Sequence, residues 1–235
     1  MSHPRDKISF WRRRGTRRSA LALLVVAATT AGTFAVLRDA LAYGPGSPPS
    51  AADARQQWSD LRLAGNLQDE FDAAGYSRAR FPHWRTVGPP SEQPGGPNCP
   101  ADKWTKIRDR SLGAVSGCET VNGTWVSGYD NVTITNSSGL DVDHIVPLHE
   151  AWKSGADEWT DEDRAVFAND VVVNLVATSP ASNRSKGDQD PASWLPPNAG
   201  IHCQYLTWWV EVKVKYDLDM DNDEYAAVQT GLNNC

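Results

Sequence analysis

The stretch Gly139-Leu140-Asp141-Val142-Asp143-His144-Ile145-Val146-Pro147-Leu148 sets the reading of everything around it. Its apolar, β-branched residues predict a strand, and Pro147, which has no amide to give to a ladder, stops it. Side chains alternate along a strand, so Asp143 and His144 point to opposite faces wherever the strand continues. At the corner where it stops, the two can splay around one site. A hard divalent cation takes carboxylate oxygen from Asp143, while His144, titrating near neutrality, can pull a proton from water. Asp141 shares the strand face of Asp143. The plain alternative is a buried Asp–His hydrogen bond with no metal.

Thirty residues on, Asn174-Leu175-Val176-Ala177-Thr178 predicts a second strand. Asn183-Arg184-Ser185-Lys186-Gly187 then predicts a short helix, capped by Ser182, with Asn183 and Lys186 on one face. In order, Asp-His-Ile-Val-Pro, Asn-Leu and Asn-x-x-Lys-Gly resemble the HNH, or ββα-metal, nuclease motif in its variant with a terminal asparagine. The string is also similar to the HNH domain of the RNA-guided CRISPR effector nuclease. Further strings carry a closer resemblance: Phe81-Pro82-His83-Trp84, Arg108-Asp109, Gly123-Thr124-Trp125, Glu150 to Ala156, Phe167 to Asp170, Asp190-Pro191 and Trp194 to Pro197. Together they resemble a family of secreted bacterial HNH-type proteins related to the C-terminal part of the GmrSD restriction endonuclease. The match runs from about Tyr76 to Cys235. One departure stands out: where that family has Cys-Asn-Thr-Arg, this chain has Cys99-Pro100-Ala101-Asp102, a carboxylate in place of an arginine suited to phosphate.

The resemblance implies an α+β fold: a ββα-metal core at about 132–188 with a small antiparallel sheet, surrounded by additional helices. It implies roles as well. His144 is the general base, Asp143 and Asn183 hold one Mg²⁺ or Mn²⁺, and Asn174 orients His144. Lys186 or Arg184 supplies a cation beside the phosphate, and Asp141 and Glu150 support the ligands from behind. The implied substrate is nucleic acid, DNA ahead of RNA, with no stable protein partner. Two other classes remain open. One is a binding or adhesion module without turnover, against which the intact His144 speaks; the other hydrolyses some different exported polymer.

Residues 1–18 hold seven Arg or Lys against one Asp, and an apolar run to Leu37 and Ala40-Leu41-Ala42 follow. This is the pattern of a secretory signal peptide over 1–42, or of an uncleaved N-terminal anchor. Thr16-Arg17-Arg18-Ser19 hints at twin-arginine export, although Ala20 stands where a bulky apolar residue is preferred. Cleavage after Ala42 leaves 193 residues, with 43–57 as linker and start of the first helix and 58–235 as a single nuclease domain. Eight of 23 basic and two of 29 acidic residues go with the leader, so 15 face 27 and the net charge is −12. That excludes a broad basic grip on phosphates and leaves a brief contact through a metal ion and local cations.

All four cysteines, Cys99, Cys118, Cys203 and Cys235, lie in the exported part and predict two disulfides, favoured as Cys99–Cys118 and Cys203–Cys235 because each closes a local loop. Trp58, Leu61 and Leu63 form the apolar face of a helix over 52–63. His83 reads as a structural histidine. A hairpin is expected to turn at Asn122-Gly123, and a second to pair 132–135 with 140–146. Helices are expected at 149–153, at 162–171 behind a Thr160/Asp163 cap, and at 201–216, whose Tyr205, Trp208 and Trp209 read as core. The acidic run Asp217 to Glu224 lacks the Gly and Glu positions of a calcium loop and reads as a turn capping the last helix.

Overall fold

The computed structural model describes residues 49–63, 65–68, 73–83 and 122–235. Helix α1 (Ala51–Leu63) buries Ala54, Trp58 and Leu61, and Trp58 stacks on Tyr225. Leu63, expected on the same face, is exposed. Strand β1 (Leu67–Gln68) pairs in parallel with β6 (Met220–Asp221).

The sheet pairings depart from expectation at two places. Asn122 and Gly123 turn no hairpin; they lie inside strand β2 (Asn122–Val126), which pairs antiparallel with β3 (Thr133–Asn136). The register shifts between Asn122 and Trp125, and a Cβ on Gly123 would stand 2.5 Å from the Trp125 ring, so the glycine admits the indole. Residues 114–121 lie outside the described residues. Strand β4 (Asp141–His144) is not the partner of β3. A 3-10 turn, Ser137–Gly139, capped by the Asn136 side chain, redirects the chain, and β4 pairs antiparallel with β5 (Leu175–Thr178), Asp143 opposite Val176 and His144 opposite Leu175. All of β5 is buried, so the ribbon needs cover on both faces. It has it: Val142, Leu175 and Ala177 join a small cluster with Trp125, Ile134 and Leu140, while Val176 joins the main, aromatic-rich core.

The helices follow the sequence closely. Between the strands come α2 (Leu148–Lys153) and α3 (Asp161–Ala168), the latter begun by the Thr160/Asp163 capping box. Helix α4 (Pro180–Lys186) starts earlier than expected: Ser179, not Ser182, is the cap, because Pro180 suits the first helical position, where no amide is missed. Helices α5 (His202–Lys215) and α6 (Asn222–Asn233) complete the described residues. Asp221 caps α6 by accepting from the Glu224 amide at 2.7 Å, and Asn66 and Gln68 donate to Asp219, so the acidic run serves as turn and cap. Cys203 is bonded to Cys235, as expected; Cys99 and Cys118 lie outside the described residues. The architecture is mixed α+β with small sheets and a disulfide. No helix among the described residues is long and apolar enough to cross a membrane; the leader lies outside them.

Candidate active site

Strand alternation sends Asp141 and Asp143 to one face of β4 and His144 to the other, and the strand ends at His144. What joins the two faces is Lys186, the last residue of α4. Its fully buried ammonium lies 3.3 Å from Asp143 Oδ1 and 3.0 Å from Oδ2, and donates to the His144 carbonyl at 2.8 Å. Tyr129 adds a hydrogen bond to Asp143 Oδ2 at 3.0 Å. Burial raises the pKa of Asp143, and the Lys186 charge and these hydrogen bonds work against the rise. Burial and the Asp143 charge hold the Tyr129 hydroxyl well above its ordinary pKa, so it stays a donor.

The His144 ring is set by a different neighbour. Its Nε2 is 2.8 Å from the carbonyl oxygen of Ala168, at the end of α3. A carbonyl only accepts, so Nε2 carries the hydrogen and the lone pair is on Nδ1. Burial pushes the pKa of His144 down to about 3; the Ala168 hydrogen bond opposes this, and Arg78, Lys186 and His83 add to it. The ring is therefore a neutral proton acceptor. Asn174 holds the two residues that follow: its Oδ1 accepts from the Val146 amide at 3.0 Å and its backbone carbonyl from the Ile145 amide at 2.7 Å. It orients the strand end, while Ala168 orients the ring.

Asn183 donates through Nδ2 to Asp141 Oδ2 at 2.9 Å. Asn183 of α4 thus meets Asp141 on β4, while Asp143 on the same strand face meets Lys186 and Tyr129. Carboxylate and amide oxygens suit Mg²⁺ or Mn²⁺, although no group of three or more His, Cys, Asp or Glu among the described residues could hold a metal ion. By donor chemistry the residues fit a hard cation held by few protein ligands, with Lys186 balancing Asp143 meanwhile. Helix α4 is itself pinned to the turn before β3, where Asp130 Oδ2 accepts from the Ser179 and Ser182 hydroxyls.

Two further expected residues make no described contact with Asp143 or His144. Arg184 is exposed on α4. Glu150 belongs to a separate buried network, in which Lys213, Lys153 and Ser154 hold its carboxylate. In turn, Tyr129, the Ala168 carbonyl and Arg78 join the site without being anticipated. Only the segment Tyr76 to Trp84, which carries Arg78, Arg80 and His83 without an assigned role, pointed toward the third.

Residues 118–228 match the family of GmrSD restriction endonucleases, C-terminal domain. Over 193 residues the chain is 38% identical to an uncharacterized secreted protein of Arthroderma benhamiae, spanning 81% of this chain and 89% of that one. The chain belongs to the GmrSD C-terminal-domain family. No solved structure matches it. The span shared with the GmrSD family model contains β2 to β5, α4, Tyr129, Asp141, Asp143, His144, Asn174, Asn183 and Lys186, and Arg78 lies before it.

Proposed function

We propose that this chain is an exported, divalent-metal-dependent endonuclease that hydrolyses phosphodiester bonds in nucleic acid, DNA ahead of RNA. In this reading β4, β5 and α4 are a ββα-metal core. One observation carries it: the Ala168 carbonyl fixes His144 as a neutral imidazole with its lone pair on Nδ1, beside an aspartate and two asparagine-bearing elements. His144 takes the proton of the attacking water. An imidazole of such low pKa is a weak base in the free chain, and a bound phosphodiester anion raises it again. Asp143 and Asn183 would hold Mg²⁺ or Mn²⁺, which when bound offsets charge developing on the phosphate and leaving oxygen. Asn174 keeps the strand end still, Lys186 keeps Asp143 compensated, and Arg184 adds a nearby cation. The leader-like N-terminus and the relative named as secreted support export.

A second reading is favoured by Lys186. Its ammonium already satisfies Asp143, as a metal-free binding module on the same scaffold would require. Incubating the exported chain with plasmid, linear DNA and RNA, in Mg²⁺, Mn²⁺ or EDTA, separates them. Cleavage that EDTA stops is the expected result. Binding without cleavage in any metal would favour the second reading and overturn the first.

A further inference from the structure

Arg78 starts a 3-10 turn, Arg78–Arg80, that Ser77 caps through its side chain. The neighbouring cations are engaged: Arg80 of the same turn lies over the Trp152 ring, and so does Arg164 of α3. Arg78 is exposed, and it differs in how it is held. Its Nε–H donates to His83 Nε2 at 3.3 Å, while His83 Nδ1 donates to the Phe81 carbonyl at 2.6 Å. The imidazole therefore works as a bracket, gripping the guanidinium by its stem nitrogen. The two terminal amino groups of Arg78 donate to no described residue, which leaves the forked end, the part that matches phosphate oxygens, facing outward.

The bracket is fastened on both sides of His144. On one side, Arg164 Nε donates to the Arg80 carbonyl at 2.9 Å and Asn169 Nδ2 to the Pro82 carbonyl at 2.7 Å. These residues lie in and just after α3, the helix whose last carbonyl, that of Ala168, holds the His144 ring. On the other side, the Tyr76 ring packs edge-on against His149, at 4.7 Å between centroids, and against Trp152. His149 lies in α2, which begins four residues after His144. The segment 76–83 thus touches both α3 and α2, the helices that flank the end of β4, and carries the exposed guanidinium whose charge acts on His144.

We propose that Arg78, aimed by His83, binds a phosphate of the substrate backbone beside His144. The proposal rests on the nuclease reading above and gives it what the acidic surface lacks, a positioned cation. Arg78 supplies two parallel donors to one phosphate, and His83 acts through it as a positioning residue.

The test is cleavage of a short duplex in Mg²⁺ by wild type, Arg78→Ala, Arg78→Lys and His83→Ala across a KCl series. Arg78→Ala should raise KM on the order of tenfold with kcat within about threefold, and flatten the slope of log(kcat/KM) against log[KCl] by about one. Arg78→Lys should recover the salt slope and only part of the affinity, since a point charge replaces a fork. His83→Ala should raise KM while keeping the slope, because the charge remains and only its aim is lost. An Arg78→Ala protein with the wild-type KM and slope, in a wild type that cuts, overturns the assignment and leaves the nuclease reading standing. So does one that loses kcat and melting temperature together with the slope unchanged, the mark of a structural role. A wild type that cuts no nucleic acid overturns both.

Discussion

Asp143 and His144 are adjacent in sequence yet answer to different partners, and substitutions should separate them. His144→Ala removes the proton acceptor, and turnover should fall about a hundredfold or more with metal binding kept and no rescue by metal. Asp143→Ala is a poorer probe, because it strands the Lys186 ammonium in the interior, a change that costs about 3–5 kcal/mol. Asp143→Asn also removes the counter-charge but keeps a hydrogen-bond acceptor for Tyr129 and Lys186, and should abolish cleavage at any practical Mg²⁺ concentration in a chain that still folds. Asn183→Ala, which loses a neutral ligand, should recover partly in Mn²⁺. Equal Mn²⁺ rescue of the His144 and Asp143 variants, read from initial rates, would show the two roles exchanged. At this scale the sequence was informative where chemistry and spacing are local: Asp143, His144, Asn174, Asn183 and Lys186 all fall on β4, β5 or α4 or next to them. It gave no role to Tyr129, the Ala168 carbonyl or Arg78. Each meets the site only through tertiary packing, and a backbone carbonyl leaves no residue type to recognise. Nor did the sequence show that the Glu150 carboxylate is held by lysines, one of them more than sixty residues away.

Elements show the same division between local and non-local signals. Caps were readable because they act within three residues: Thr160 with Asp163 and the acidic turn before α6 hold as expected, and only Pro180 moved the α4 cap back to Ser179. Strand partners were not readable, since β3 and β4 look equally pairable until the capped turn at 137–139 parts them. Ser179→Ala removes both the cap and one donor to Asp130, so it should lower stability by about 1–2 kcal/mol in urea unfolding. Because α4 carries Asn183 and Lys186, activity should fall with it; a variant of unchanged midpoint would mean that α4 is held by packing alone. The Cys203–Cys235 bridge closes a separation of 32 residues, and its loss should cost about 3–4 kcal/mol at 25 °C. Non-reducing peptide mapping should recover that pair, and Cys99 joined to Cys118; a titratable thiol in the folded protein would contradict the pairing.

Among the described residues a buried charge network ties the helices α2, α5 and α6 to one another. Lys213 of α5 donates to Glu150 of α2 at 3.0 Å, to Glu224 of α6 at 3.0 Å and to the Ser154 hydroxyl at 2.8 Å, and all three ionisable groups are buried. Burial raises the pKa of Glu150, but Lys213 and Lys153 together outweigh it and hold the group at about 2. Burial pushes Glu224 up to about 8; Lys213 and the Trp209 indole oppose the rise, and Glu150 adds to it. The signs are opposite. Glu150, lowered from 4.5, contributes stability above about pH 4.5 and loses it as pH falls toward 2. Glu224, raised from 4.5, contributes below about pH 4.5 and loses it as pH rises toward 8. Urea midpoints should therefore be highest near pH 5 and decline on both sides. Glu224→Gln should flatten the alkaline limb, whereas Glu150→Gln should destabilise at neutral pH by about 3–5 kcal/mol, because Lys213 loses its firmest counter-charge. If the wild-type midpoint holds level from pH 5 to 8, Glu224 is ionised throughout. The Trp209 and Lys213 donors on its two oxygens, at 2.6 and 3.0 Å, would then be strong enough to overcome its burial.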